Sequence, residues 1–271
     1  MIGKREIEAL LDRQKHISYS KEDVYEILNV LSAYESISIG KTVGLSGIIS
    51  RSRFNLVENF VRSIGDNEVK ICFEGGYPEA ERGRVIFFKH ARHAEVAAKS
   101  AGLKAIELKF NSEPGHRDIL GALLSLGVKR SRIGDIGIEG LLSYVVVSED
   151  MAGFIITNLN QVGRSLVKSS LEISCSELNM PKKRLKKKEI VLSSMRADLV
   201  LSKVFNIGRK EVKGDISKDK VKLNDFVLNK ANHCVVESDV LSYRGNGKII
   251  IGDIKGMTKK GNYVLKIKKY V

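Results

Sequence analysis

The chain has 271 residues, 43% of them hydrophobic, which is room for two or three folded domains. Three prolines exclude a stiff Pro-rich region, and the absence of Trp with 6% aromatic residues argues against a broad platform of rings for stacked bases. The formal charge of +14 is all at one end: Met1–Pro181 carries 23 basic and 23 acidic side chains, Lys182–Met195 six and one, and Arg196–Val271 seventeen and eight. A polyanion is recognised first through its field. The distribution therefore predicts a nucleic-acid-binding C-terminal module on an electrically balanced body.

Along the chain, apolar residues at helical spacing predict helices over 4–16 and 21–34, with Ser20 and Asp23 resembling a capping box. Ser36–Ser46 reads as a loop or irregular strand, and a further helix is expected over Arg51–Ile64. Together these suggest a small helical N-terminal unit over 1–68. Val69–Phe73 and Arg84–Val85–Ile86–Phe87–Phe88 are apolar segments flanking Glu74–Gly83, the densest turn signal in the chain. A hairpin or strand–loop–strand follows from them. Gly75 and Gly76 permit positive φ, and a demanding turn suits this loop better than a phosphate cradle, which would need a following Lys and Ser/Thr.

From about Ala91 to Cys175 the order reads βαββαβ. His93–Ala101 leads in as a short helix, and Ala105–Phe110 alternates as a strand. Asp118–Leu126 is a helix ending at Gly127, with Asp118 as its expected N-cap. Ile133–Ile138 and Leu141–Ser148 are strands, Glu149–Val162 a helix, and Ser165–Ile173 the last strand. This is the ferredoxin-like order shared by the RRM, assigned to a middle domain over 69–178. The central strand Ile133–Ile138 has no aromatic ring, which argues against RRM-style stacking.

Lys182–Lys188 places six like charges within seven residues. Such a run is a solvated linker, assigned to 179–190, or an exposed strand edge. The remaining residues, 191–271, read as two short helices, Arg196–Phe205 and one opening at Gly208–Lys213, and then a sheet. Lys220–Leu228 is a hairpin with an Asn224–Asp225 turn. Val235–Ser242 and Lys248–Ile251 continue the sheet, and the last hairpin turns at Lys259–Asn262.

Arg196 and Asp198, then Gly208, Arg209 and Lys210, then Ile216, Asp219, Val221, Asn224 and Asp225 form a run that resembles the S4 RNA-binding domain of the αL type. Gly208 stands where that family usually has Ser, and Asp219 and Asp225 where it has glycines. The closing Asp239–Tyr243, Arg244–Gly–Asn–Gly–Lys248 is similar to one S4 branch. Phe73–Arg82, His116–Gly127 and Ile133–Ile136 match the same branch, so the chain resembles the YlmH family from about Phe73 to Val271. The resemblance implies an α+β protein with an RRM-like body and a C-terminal S4 domain. It further implies a bacterial cytoplasmic factor binding the large ribosomal subunit and the peptidyl-site tRNA. Ribosome-associated quality control, the tailing of stalled chains and cell-division gene neighbourhoods also come with it.

The residues expected to meet structured RNA (rRNA or tRNA) are Arg196, Lys203, Arg209, Lys210, Lys213, Lys220, Asn224, Arg244 and Lys248. Arg209, Lys210 and Lys213 sit on a helix's first turns, where the dipole and free N–H groups favour phosphate. Asp198 is better read as a partner for an Arg or a helix cap. Arg117, Arg130, Arg132, Lys182, Lys183 and Arg184 are secondary candidates.

No Walker loop, adenylate motif or strand-linked GxGxxG is present, and Arg196–Ala–Asp198 lies inside the S4-like run. The chain is therefore expected not to be an enzyme; the alternative is a pseudouridine-synthase-like RNA-modifying enzyme with a polar pocket within 70–175. Cys72, Cys175 and Cys234 form no CxxC, and the His90/His93 spacing has no acidic or Cys partner nearby, so neither metal nor cofactor is expected. The N-terminus lacks a signal-peptide core, and no apolar run approaches the roughly 18 residues of a membrane span. A cytoplasmic monomer without membrane attachment is the expectation.

Overall fold

The computed structural model describes residues 8, 11, 15–64, 68–90, 101–182 and 185–270. In chain order the elements are β1 (Ile17–Ser18), α1 (Lys21–Ser38), β2 (Val43–Ser50), α2 (Arg51–Ile64), β3 (Lys70–Glu74), β4 (Arg82–Phe88), β5 (Leu103–Phe110), α3 (His116–Ser125), β6 (Ile133–Glu139), β7 (Leu142–Ser148), α4 (Glu149–Asn158), β8 (Gln161–Val162) and β9 (Ser165–Ile173). There follow β10 (Leu185–Leu192), α5 (Ala197–Phe205), α6 (Arg209–Ile216), β11 (Val221–Leu223), β12 (Phe226–Leu228), β13 (Val240–Tyr243), β14 (Gly247–Met257) and β15 (Tyr263–Tyr270). The chain is α+β. It divides into two compact units: one takes Tyr25–Pro181, the other joins the described residues before Tyr25 to those from Lys182 onward.

Helix α1 starts on the reciprocal cap expected for it: Ser20 N–H donates to the Asp23 carboxylate (2.8 Å) and Asp23 N–H to Ser20 Oγ (3.1 Å). The helix continues to Ser38, past the expected end at residue 34, because Ile37 extends the stripe of Ile27, Val30, Leu31 and Tyr34, all buried. The segment read as a loop or irregular strand over Ser36–Ser46 is thus a helix end, a short turn and the start of β2. Gly44 makes that possible, since a Cβ there would run into the Ala33 carbonyl of α1. β2 pairs with β4 in a three-stranded sheet ordered β2-β4-β3. A purely helical unit over 1–68 therefore does not exist: residues 43–50 share a sheet with the β3–β4 hairpin. Of the helix expected over 4–16, Glu8 and Leu11 are helical and most of the rest lies outside the described residues. The lead-in helix expected from His93 also lies outside them.

The βαββαβ order is observed over β5, α3, β6, β7, α4 and β9, in a sheet ordered β6-β7-β5-β9-β8 with every neighbouring pair antiparallel. Ile106, Leu108 and Phe110 of β5 and Val145 and Val147 of β7 form one buried core with Ile119, Leu123 and Ile155 of α3 and α4. The helix expected to reach Val162 stops at Asn158, because Gln161–Val162 folds back onto Ser165–Leu166 through a turn with Gly163 at φ 56°. Asp118 is not the N-cap of α3 but its third residue; the cap is Gly115.

In the second unit a seven-stranded antiparallel sheet runs β1-β12-β11-β13-β14-β15-β10. The basic run, expected as a solvated linker or an exposed strand edge, is in part the second: Leu185–Leu192 pairs along its whole length with β15, as the edge of the sheet. Helices α5 and α6 bury Val200, Leu201, Val204, Val212 and Ile216, and Phe205 meets Tyr243 of β13 edge to face at 5.7 Å. The strand expected over Val235–Ser242 begins only at Val240, because the buried Asp239 carboxylate accepts the Val236 N–H (2.8 Å) and ties 236–239 into a turn. β1 pairs with β12, Ile17 opposite Leu228, and the His16 ring stacks on His233 at 3.8 Å and 8°. The segment before α1 thus belongs with the C-terminal part of the chain. Among the described residues no helix is long and apolar enough to cross a membrane.

Candidate nucleic-acid interface

The site is organised by Asp198 in the first turn of α5, which is fully buried. Arg196, the N-cap of α5, donates from Nε and Nη2 to both carboxylate oxygens (3.1 and 3.0 Å). Arg209, the first residue of α6, donates from Nε to Oδ2 (3.0 Å), and Lys213 Nζ lies 3.8 Å from the same oxygen. Asn206, left-handed at φ 57°, ends α5 and lets the chain turn into α6 so that the two opening turns meet here. Burial is the largest single influence on the Asp198 carboxyl and raises its pKa. The hydrogen bonds and charges of Arg196 and Arg209 together outweigh it and hold the group below its ordinary range. The two basic side chains from α6 stay about half exposed, 43% for Arg209 and 50% for Lys213. Asp198 therefore holds Arg209 by its Nε and draws in the Lys213 Nζ, while Arg209 keeps its Nη fork for another acceptor, the geometry that suits a phosphate. Lys210 beside them is exposed.

The other residues of this unit expected to meet RNA separate into two groups. Lys203 and Arg244 are exposed, and Lys248 lies with Nζ 5.0 Å from the Tyr270 ring centre. Lys220 is drawn to Asp215 (2.8 Å), which also accepts the Tyr243 hydroxyl (2.8 Å). Burial and then that carboxylate push the Tyr243 hydroxyl up to about 12. Asn224 is not an open contact. Its Nδ2 donates to Asp239 (2.7 Å), its Oδ1 accepts the Val240 N–H (2.9 Å), and its backbone is left-handed. Asn224 and Asp225, at φ 49° and 68°, make the hairpin turn in which both central residues are left-handed. Asp219 holds φ 56°, so both positions where the S4 pattern has glycine keep the glycine-like backbone with an acid. Lys182 is exposed; Lys183 and Arg184 lie outside the described residues.

On the first unit, two of the secondary candidates have local partners. Arg130 donates to its neighbour's carbonyl, Ile133 O (2.6 Å), and Arg132 pairs with Asp150 (3.1 Å), so both guanidinium groups serve the local fold. Arg117 is exposed on the first turn of α3. The Gly75–Gly76 loop docks on Asp135, a residue the sequence did not single out. Tyr77 Oη and the Glu81 N–H both donate to it at 2.7 Å. Arg82 donates to the carbonyls of Ile48 and Ile133 (3.1 and 3.2 Å), and burial, ahead of the neighbouring Arg130, lowers its pKa to about 10. Gly76 has φ 85°, as the turn reading requires, whereas Gly75 is there for space: a Cβ would strike Ala80.

A cavity of about 630 Å³ opens beside this loop, lined by Glu74, Tyr77, Lys104, Ser174, Cys175 and Ser176 among others. Lys104 pairs with Glu172 (2.9 Å), and burial, then Glu74, pushes the Cys175 thiol up, away from the reactive thiolate. Among the described residues no group of three or more His, Cys, Asp or Glu is placed to hold a metal; His93 of the His90/His93 spacing lies outside them. The sheet of β5–β9 is crossed over β6 by the chain itself: a Cβ on Gly137 would meet Met180 Sδ and Pro181 Cδ.

Residues 105–177, the segment of β5 to β9, match the family model described as "Putative RNA-binding domain in YlmH". The chain is 33% identical over 203 residues to the ribosome-associated protein quality control protein P2 of Bacillus subtilis (strain 168), covering 73% of this chain and 77% of that protein. Its structure is similar to that of the cell division protein ylmH from Streptococcus pneumoniae, with a TM-score of 0.50, 16% identity, and coverage of 60% of this chain and 98% of that one. The structural likeness concerns the fold. With a third of residues identical over most of both sequences, the chain belongs to the YlmH family.

Proposed function

We propose that this protein is a non-enzymatic RNA-binding factor of the ribosome, acting in ribosome-associated quality control. Its second unit is an S4-type domain that grips structured rRNA or tRNA on the large subunit. Its first unit contains an RRM-like module in which β6, β7, β5 and β9 take the ferredoxin-like strand order. The observation that carries the reading is the Asp198 cluster: a buried carboxylate aims Arg196, Arg209 and Lys213 beside the exposed Lys210, in the part of the chain that holds all the net positive charge. A buried acid at the centre of a basic patch sets direction rather than cancelling the field. The name of the Bacillus subtilis relative, which links that protein to ribosome quality control, and the RNA-binding description of the family matched by residues 105–177 agree with it. The non-enzymatic reading draws support from the cavity, where Lys104 is paired and Cys175 is held as a thiol. A cytoplasmic monomer fits the same reading.

The test is sedimentation of the full chain with large ribosomal subunits, with binding to fluorescein-labelled tRNA measured in parallel. The Arg209→Gln/Lys210→Gln variant is expected to lose at least about tenfold in tRNA affinity, about 1.4 kcal/mol, and to leave the subunit fractions. Undiminished binding would remove the α5–α6 cluster from the interface.

A further inference from the structure

The register of the second unit's sheet shows a second basic surface that the linear sequence conceals. In the β10–β15 ladder Lys186 stands directly opposite Lys269, and on the next rung Lys187 stands opposite Lys268. Like charges directly opposed across strands repel and weaken the pair. Successive side chains point to opposite faces. Lys269 shares its face with the buried Leu265 and Ile267 and lies with Nζ 4.7 Å from the Phe205 ring centre of α5. Lys187 and Lys268 therefore point to the other face, and both are exposed. The same face carries Lys222 and Lys248, which flank Ser242 in one cross-strand row.

Further along that face the charges are balanced. Lys266 pairs with Asp253 (2.6 Å) and stands opposite Glu189, and Lys255 pairs with Glu189. At the Lys187–Lys268 rung no such acid is present: among the described residues Lys187, Lys222 and Lys268 make no ion pair. Lysines on an edge strand guard against sheet-to-sheet pairing, which accounts for β10. It does not account for Lys268 on the second strand in, nor for Lys222 deeper in the sheet. The Lys187–Lys268 rung, where two lysines oppose one another without an acid, is one that an external polyanion would relieve.

We propose that the sheet face bearing Lys187, Lys222, Lys248 and Lys268 is a second contact surface for an RNA phosphodiester backbone, opposite the face covered by α5 and α6. The proposal rests on the RNA-binding reading above. The domain then meets RNA on two sides, and binding releases counterions from both.

The test measures binding of fluorescein-labelled tRNA by the full chain over a range of NaCl concentrations. In Lys187→Gln/Lys268→Gln the slope of log affinity against log salt is expected to become shallower by about two, roughly one for each phosphate that a lysine no longer neutralises. The same charge change at Lys259→Gln/Lys260→Gln, in the β14–β15 turn, should alter it by less than half as much. Removing opposed like charges should leave the melting temperature unchanged or higher. A second readout uses the unaltered protein: acetylation of Lys187 and Lys268, followed by mass spectrometry, should be slowed several-fold by tRNA. An unchanged slope with equal acetylation, while Arg209→Gln/Lys210→Gln still loses affinity, overturns this surface and leaves the α5–α6 interface standing. No tRNA binding by the unaltered protein overturns both. Acetylation protection by an acidic protein or anionic vesicles but not by tRNA overturns RNA as the occupant.

Discussion

At Asp198, burial and charge work against each other. A carboxylate removed from water is costly unless its acceptors are filled, and here two arginines fill both oxygens. Asp198→Asn should destabilise the protein by about 2–3 kcal/mol, the scale of hydrogen bonds to a charged group, measured by urea unfolding, and should weaken tRNA binding as well. Because the folded pKa lies below the ordinary value near 3.9, this stabilisation is complete above that value and is lost as pH falls through the folded one. Asn224 makes the opposite case. Asn224→Ala should cost about 1–3 kcal/mol by removing the partner of Asp239 Oδ1 and of the Val240 N–H and by straining a left-handed turn, yet leave the salt slope of RNA binding unchanged. A shallower slope would restore it as a contact. In the sequence Asn224 and Lys210 were both polar residues of a basic region; only their hydrogen bonds separate a turn-former from an exposed charge.

Elements come together here through small residues and one ring stack. Gly44→Ala should destabilise by about 1–3 kcal/mol or more, since the added methyl meets the α1 backbone, which cannot give way. Gly121→Ala, in open space on α3, should instead stabilise by about 0.5–1 kcal/mol; thermal melts of the two variants check both signs. The two-residue β1 is held by two ladder partners and the His16–His233 stack. Burial lowers the pKa of both rings, and for His233 the neighbouring His16 lowers it further, while Asp239 opposes the shift in each and Lys230 adds to it for His16. The folded state therefore prefers neutral rings. Its stabilisation is present above the unfolded value of about 6.5 and lost as pH falls through the folded values. Hydrogen exchange at the Ile17 and Ser18 amides should accelerate, relative to the intrinsic rate, as pH falls from about 7.5 to about 5, on either side of that unfolded value. His233→Gln should abolish that dependence; an unaltered dependence would assign it to other groups. Helices and strands with strong periodicity were readable in the sequence to within a few residues. β1 was not, because two residues carry no period.

Over the whole molecule, charge and motif order were the most legible features. Phe73–Arg82 and Ile133–Ile136 are far apart in sequence, and the fold joins them through Tyr77 and Asp135, which gives one physical reason for their occurring together. The two units make different predictions for RNA. If the charged unit dominates, tRNA affinity should fall steeply with salt, and reversing Arg117 together with Lys129, which is exposed just before Arg130, in Arg117→Glu/Lys129→Glu on the neutral unit should change it by less than about threefold. A larger loss would place the principal contact within 105–177, where the family model lies. By itself the sequence determined the class, the α+β order, the asymmetry of charge and the helix that opens with Arg209, Lys210 and Lys213, because these depend on composition and local spacing. Tertiary structure decided which charges are free: it engaged Arg130 and Arg132 with local partners, buried Asp198 among its arginines, made part of the basic run an edge strand, and set Lys187 against Lys268. Register and burial are relations between distant residues, so no local pattern could have contained them.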